Sequence, residues 1–308
     1  MAAIALPAQP IAGALADAHA ALQAGEADKA LNLLSSLPAS AEAHNLRCRV
    51  LFSLEHWDAA VNECELAVAM EPQNSNYHMW LGRALGEKAG RASFLSAFSL
   101  AGQVRTEFEQ AVRLDPHNAP ALADLGEFYY DAPGIVGGGS DKAEAIAAQL
   151  EKVNQARADE LRGRIAEKHH DYATAEQDLR QAIAVSEHPA FQWMVLGSFY
   201  SRRSRWDDME TALQNGLKAA GQDDSSNVVL FNAASILNRC NKNLPLAAKL
   251  FTEYLAGSPK TEEAPAFVAH ARLARIDAQL GDIAAARRER EAAMEMAHDY
   301  QPGHDLNF

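Results

Sequence analysis

A chain of 308 residues, 48% hydrophobic and 22% charged, holds enough apolar material for a packed core and is far from a disordered composition. Its 41 acidic residues outnumber 28 basic ones for a net charge of −13, a field that repels a phosphate backbone and argues against a nucleic-acid partner. Three cysteines (Cys48, Cys64 and Cys240) are too few for a disulfide framework, and no apolar run reaches the roughly 18 residues of a membrane span.

Only 7% of residues are aromatic, while alanine, leucine and glutamate abound, which favours helices because these side chains lose little rotamer freedom there. Met1 to Ala16 is apolar but lacks a basic start and contains Pro7 and Pro10, a poor export signal. Residues 1–10 are therefore expected to be an N-terminal extension. The chain as written reads as cytoplasmic, with a periplasmic or exported location as the alternative if a signal peptide has been removed.

From there one pattern recurs along the chain. Gly25–Glu26–Ala27–Asp28–Lys29–Ala30 makes a turn and a helix start, closed at Pro38. Between Ala41 and Pro72, Trp57 opens a second helix that carries Ala60, Cys64 and Ala67 ahead of the proline stop. His78, Leu81–Gly82 and Leu85 mark the next first helix, and Phe108, Ala111 and Pro116 its second, with about ten extra residues between them. Leu122, Leu125–Gly126 and Tyr129 follow, then a glycine-rich insertion before Ala143. Gly163, Tyr172, Ala175, Leu179 and Ala182 close at His188–Pro189. Trp193, Leu196–Gly197 and Tyr200 lead through Ser204–Arg205–Trp206 to Gly221. From Phe231 the second helix gives Ala247, Phe251 and a stop at Pro259; Gly281–Asp282 makes the last turn ahead of Ala286 and Ala293. Small residues at these places let helices approach closely, and the leucines and aromatics at three- and four-residue spacing form the buried stripe.

The spacing of Trp193, Leu196–Gly197 and Tyr200, with a small-large-small second helix and a closing proline, resembles the tetratricopeptide repeat of bacterial type. That resemblance implies an all-α fold, a right-handed α-α superhelix of about eight helix-turn-helix repeats over residues 11–300, with 301–308 as a tail. It also implies first helices lining a concave groove that takes a protein or peptide. The run Ala132–Pro133–Gly134–Ile135–Val136–Gly137–Gly138 is similar to a loop in a subgroup of bacterial repeat proteins, many of them exported.

Few residues offer chemistry. The glycines 134 and 137–139 precede a helix, as in phosphate cradles, but Lys142 follows Ser140–Asp141 and the preceding segment reads as helix rather than strand. An expanded turn is the expectation. Cys48 and Cys64 sit on the two helices of one hairpin and read as small buried apolar residues, bonded to each other only in an oxidising compartment. His169–His170 are adjacent in a turn, without metal-ligand spacing. No catalytic residue, metal or cofactor is expected, so an enzyme is the least favoured class.

In the family frame, the first-helix positions facing the groove hold Arg49, Arg83, Arg164 and Arg275, then Arg202 and Arg239 slightly further on. Arginine forks suit carboxylates, so an acidic or C-terminal carboxylate peptide is the expected partner, although Glu87, Glu127, Asp131, Glu160 and Glu167 share that face. Asn45 and Asn232 occupy one position of the family's carboxylate clamp, but its lysines are missing. Phe191 and Met194 add an apolar contact, with Trp193 and Tyr200 as core. The expected function is a non-catalytic scaffold or adaptor; the alternative is a regulator sensing a short peptide or small molecule. The charged run Arg287–Arg288–Glu289–Arg290–Glu291 reads as a solvating cap, hence a monomer.

Overall fold

A computed structural model describes residues 8–221 and 226–307. Every regular element among them is helical. In chain order these are α1 (Ala8–Ala24), α2 (Ala27–Ser35), α3 (Ala41–Ser53), α4 (Trp57–Met70), α5 (Ser75–Arg91), α6 (Phe94–Leu114), α7 (Ala119–Asp131) and α8 (Ser140–Leu150). They continue with α9 (Gln155–Lys168), α10 (Tyr172–Val185), α11 (Pro189–Arg202), α12 (Trp206–Ala220), α13 (Ser226–Arg239), α14 (Leu244–Ala256), α15 (Ala266–Gln279), α16 (Ile283–Met296) and α17 (Gln301–His304). The first sixteen pair as eight antiparallel hairpins, the all-α helical-repeat class. Of the segments flanking the repeats, residues 1–7 and 308 lie outside the described residues; 8–10 open α1, and 301–304 form α17.

The helices start where side chains satisfy free backbone N–H groups. Ser40, Asn118, Asn154, Asp171 and Asp282 each accept from the N–H three residues on. Within hairpins a shared turn recurs: the N–H groups of Glu26, His56, Asp171, Arg205, Lys242 and Asp282 each reach back to the carbonyl five residues earlier, at 2.9–3.0 Å. The residue before each of those donors has a positive φ. Gly25 and Gly281 suit that conformation, whereas Glu55, His170, Ser204 and Asn241 adopt it with a side chain. The α5/α6 and α7/α8 hairpins use other connections. Ala92 and Ser93 join two long helices in the first; a short 3-10 turn at Gly134–Val136 and left-handed Gly137 serve the second. The extra residues after Leu85 are thus absorbed as helix.

Small residues sit where helices touch: a Cβ on Gly82 would meet the Phe108 ring at 2.5 Å, and one on Gly126 would meet Leu161 at 2.4 Å. Three hairpins share a latch that sequence patterning had not suggested. His44, His78 and His270 on first helices place Nδ1 2.6 Å from Glu63, Glu107 and Glu289 on the paired second helices.

Two compact units divide the chain. Residues from Gln73 to Pro259 make one, with hairpins stacked in sequence so that α5, α7, α9, α11 and α13 touch in succession. Tyr129 and Tyr200, at the signature tyrosine position, donate to Glu109 and Glu176 on the preceding second helix at 2.8 and 2.6 Å. Burial tends to raise Glu176, but hydrogen bonds from Tyr200, Arg205 and Arg180 overcome it and hold the carboxyl at about 2.

The other unit joins the two ends of the chain, up to Pro72 and from Lys260 onward. Its fastenings span most of the sequence. Arg49 forks onto Glu262 at 2.9 and 2.7 Å, the Asp28 carboxylate accepts from the His298 N–H at 2.9 Å, and His56 Nε2 donates to the Asp299 carbonyl at 3.0 Å. Gly25 abuts the start of α15 so closely that a Cβ there would fall 2.3 Å from the Ala266 nitrogen. Cys48 and Cys64, read as small buried residues with a bond between them left open, are joined by a disulfide across α3 and α4; Cys240 is free.

Candidate functional site

In the unit from Gln73 to Pro259, the first helices carry a ladder of arginine–carboxylate pairs. Arg83 on α5 forks onto Asp124 on α7 at 2.6 and 3.3 Å, and its guanidinium lies 4.8 Å from the Trp80 ring centre. Arg164 on α9 bridges Glu127 on α7 at 3.3 Å and Glu160 on its own helix at 3.1 Å. Arg202 on α11 forks onto Glu167 on α9 at 2.9 and 2.7 Å. The pairs with Asp124, Glu127 and Glu167 each tie one first helix to a neighbour. Of the acidic residues predicted to share that face, Glu127, Glu160 and Glu167 are the arginines' partners, whereas Glu87 pairs with Arg91. With Arg49 held by Glu262 in the other unit, four of the six predicted groove arginines are neutralised within the chain.

Arg239 and Arg275 are exposed and have no ion pair among the described residues. Phe191 is partly buried. Met194 corrects the expectation of a contact residue: it is only 4% exposed, because α11 packs between neighbours and Met194 Cε lies over Gly216 of α12. Trp193, expected as core, remains partly exposed.

Between α7 and α9 the ladder walls a cleft of about 180 Å³, lined by Ala123, Asp124, Glu127, Arg157, Glu160, Leu161 and Arg164. Burial raises Asp124 and Glu127 above the usual carboxylate range, against the lowering pull of Arg83 and Arg164. Burial opposes the charge on Arg164, but Glu160, Glu127 and Tyr130 more than offset it. Arg157 is exposed at the cleft and its guanidinium has no ion pair among the described residues. Sequence reasoning passed over it because it lies on the first turn of α9, two turns before the family's groove position; a cation near carboxylates was its only signal, and its charge acts on Asp124. Larger hollows, such as one along Ala173–Gln181 on α10, are shallow and open to solvent.

The glycine loop commits its backbone internally. The N–H groups of Gly137, Gly138 and Gly139 donate to the carbonyls of Gly134, Pro133 and Tyr129, and Lys142 Nζ caps the Gly137 carbonyl. His169 and His170 turn to different partners, Ser140 and Tyr172. Among the described residues there is no cluster of three His, Cys, Asp or Glu suited to a metal ion, and no helix long and apolar enough to cross a membrane.

No protein-family model and no curated protein sequence matches the chain. Solved structures do. TTC0263, a thermophilic TPR protein of Thermus thermophilus, is similar with a TM-score of 0.51 and 19% identity, over 61% of this chain and 97% of that one. The APC/C hetero-tetramer Cut9-Hcn1 scores 0.43 at 14% identity, over 90% of this chain and 57% of that one. MamA scores 0.36 at 14% identity, over 56% of this chain and 93% of that one. The likeness to TTC0263, with the eight hairpins, gives the chain a tetratricopeptide-like fold, that of a helical-repeat protein.

Proposed function

We propose that this protein is a non-catalytic interaction scaffold, a bacterial-type tetratricopeptide protein that seats a peptide segment of a protein partner against its first helices. The cleft between α7 and α9 carries the reading. Its donors and acceptors are held in place by the pairs Arg83–Asp124 and Arg164–Glu127, and Arg157 supplies one cation outside any ion pair among the described residues. With four arginines already neutralised, the chemistry suits a single carboxylate in a mixed-charge peptide better than a long acidic run. A volume of about 180 Å³ falls below the roughly 300 Å³ at which small-molecule sites begin, which favours a peptide side chain or terminus over a sensed small molecule. The working form is a monomer, since the exposed Arg287 and Arg288 keep the outer face of α16 solvated. The Cys48–Cys64 disulfide supports the exported alternative, because such bonds persist in oxidising compartments.

Peptide display against the wild type and Arg157→Glu tests this. Selected peptides should share a carboxylate and bind the variant about tenfold more weakly, as a lost charge-assisted hydrogen bond implies. Equal binding to both proteins would remove Arg157 and the cleft from the reading. For the compartment, maleimide added under denaturing, non-reducing conditions should label Cys240 alone in protein taken from its native source; labelling of Cys48 and Cys64 as well would restore the cytoplasmic expectation.

A further inference from the structure

Both departures from the repeat pattern lie in neighbouring hairpins and meet on one flank of α6. Helices α5 and α6 run 17 and 21 residues, where α9 to α12 run 14 or 15. At 1.5 Å per residue α5 is about 4 Å and α6 about 10 Å longer than a 14-residue helix. The buried residues of α5 stop at Leu85 and those of α6 begin at Leu100, and no residue from 86 to 99 is buried. On this tip Phe94 is 84% exposed, Leu95 81% and Phe98 47%. Phe94, Phe98, Ala101 and Arg105 fall at i, i+4, i+7 and i+11, a single stripe along α6. At the foot of the stripe Arg105 Nη1 donates to the Val136 carbonyl at 3.4 Å, and a Cβ on Gly137 would fall 2.0 Å from Arg105. The glycine loop thus packs beside the elongated helix and adds Ile135, 79% exposed.

Phe94, Leu95 and Phe98 together make a cluster of large exposed apolar side chains of the kind that marks an interaction site. Its charge differs from the rest of the chain. Residues 88–106 hold Lys88, Arg91 and Arg105 and no aspartate or glutamate, in a chain with 41 acidic residues; residues 132–140 hold no charge. Arg91 also pairs with Glu87 at 2.8 Å and Arg105 lies 3.7 Å from Glu109, so the cations are anchored behind the leading rings. Exposed phenylalanine and leucine ahead of basic residues is the chemistry of shallow insertion among lipid headgroups.

We propose that the α5/α6 tip, flanked by the glycine loop, docks on an anionic lipid bilayer surface. This does not depend on the α7/α9 cleft. The test is co-sedimentation of the full chain with phosphatidylcholine vesicles, alone or with about one-third phosphatidylglycerol. Wild type should pellet with the anionic vesicles only. The Phe94→Ser, Leu95→Ser, Phe98→Ser triple variant, with its helix content checked by circular dichroism, should lose about tenfold in pelleted fraction, and Arg91→Gln a few-fold. Wild type left in the supernatant with both vesicle types overturns the proposal, as does equal pelleting of the triple variant or equal binding to uncharged vesicles. A protein complex lost in the triple variant, with no vesicle binding by wild type, would assign the tip to a protein and overturn the lipid assignment.

Discussion

Arginines on first helices act differently in the two units. In the stack from α5 to α14, they reach carboxylates about one repeat away: 41 positions for Arg83–Asp124, 37 for Arg164–Glu127 and 35 for Arg202–Glu167. In the unit built from both chain ends, Arg49 reaches Glu262, 213 positions on. The residue type and helix face are alike; only the neighbour differs. A stack of repeats spreads its stability over nearest neighbours, so damage stays near its source. A unit closed by contacts between distant segments depends on a few fastenings, each of which also closes a long chain loop.

Arg49→Glu should break this comparison most severely, because it sets two carboxylates together where both side chains are only 15% exposed. About 3–4 kcal/mol of stability should be lost, and hydrogen exchange should accelerate in α1 and α15 together. Loosening confined to α3 would show that the Arg49–Glu262 pair does not hold the ends.

Removal of the disulfide by Cys48→Ala with Cys64→Ala should cost about 3 kcal/mol in denaturant titration, given the loop of 16 positions that it closes. Reducing agent should shift the wild-type midpoint by a similar amount and leave the variant untouched. A wild type indifferent to reductant would mean the bond adds nothing to this unit.

The units should also answer pH in opposite directions. Asp277, in the unit of chain ends, is raised to about 6 by burial, with help from Glu289 and Asp282. Its folded pKa lies above the ordinary 3.8, so its contribution is fully present below that value and lost as pH rises through about 6. Asp277→Asn should therefore add about 1 kcal/mol near neutral pH, after allowance for partial exposure, and nothing below about pH 4. Glu176, in the stack, is held at about 2 against an ordinary 4.5; its contribution is present above 4.5 and lost as pH falls towards 2. Thermal melts of the wild type, Asp277→Asn and Glu176→Gln across that range would separate the two trends. A gain from Asp277→Asn that persists in acid would sink the assignment.

The smallest effect belongs to Arg202→Ala. Its side chain is 45% exposed, so the loss should stay under about 1 kcal/mol, with faster exchange limited to α9 and α11. A larger or more distant effect would show that the stack is not nearest-neighbour in character.

The hairpins were legible in the order of residues alone. Gly82, Gly126, Ala60 and Ala175 mark close approaches, and Trp57, Pro72, Gly25 and Gly281 mark starts, stops and turns, because these rules act within a few residues of chain. The turn at Glu55 went unread, since a side chain there replaces the expected glycine, although those at His170 and Ser204 were read without one. Part of the candidate site was visible too: the arginines and glutamates of its face were identified, but as competitors rather than as partners.

What the sequence by itself determined is the local programme of eight amphipathic helix pairs on an acidic chain. Which helix stands beside which was left to the tertiary structure. That placement buried Met194, paired Arg164 with Glu127 while leaving Arg157 outside the ladder, brought Arg49 to Glu262, and set the glycine loop against the exposed flank of α6. The physical reason is one of range. Helical periodicity is set over a few residues, whereas the meeting of distant side chains depends on small rotations between repeats, summed along the chain, that no single repeat encodes.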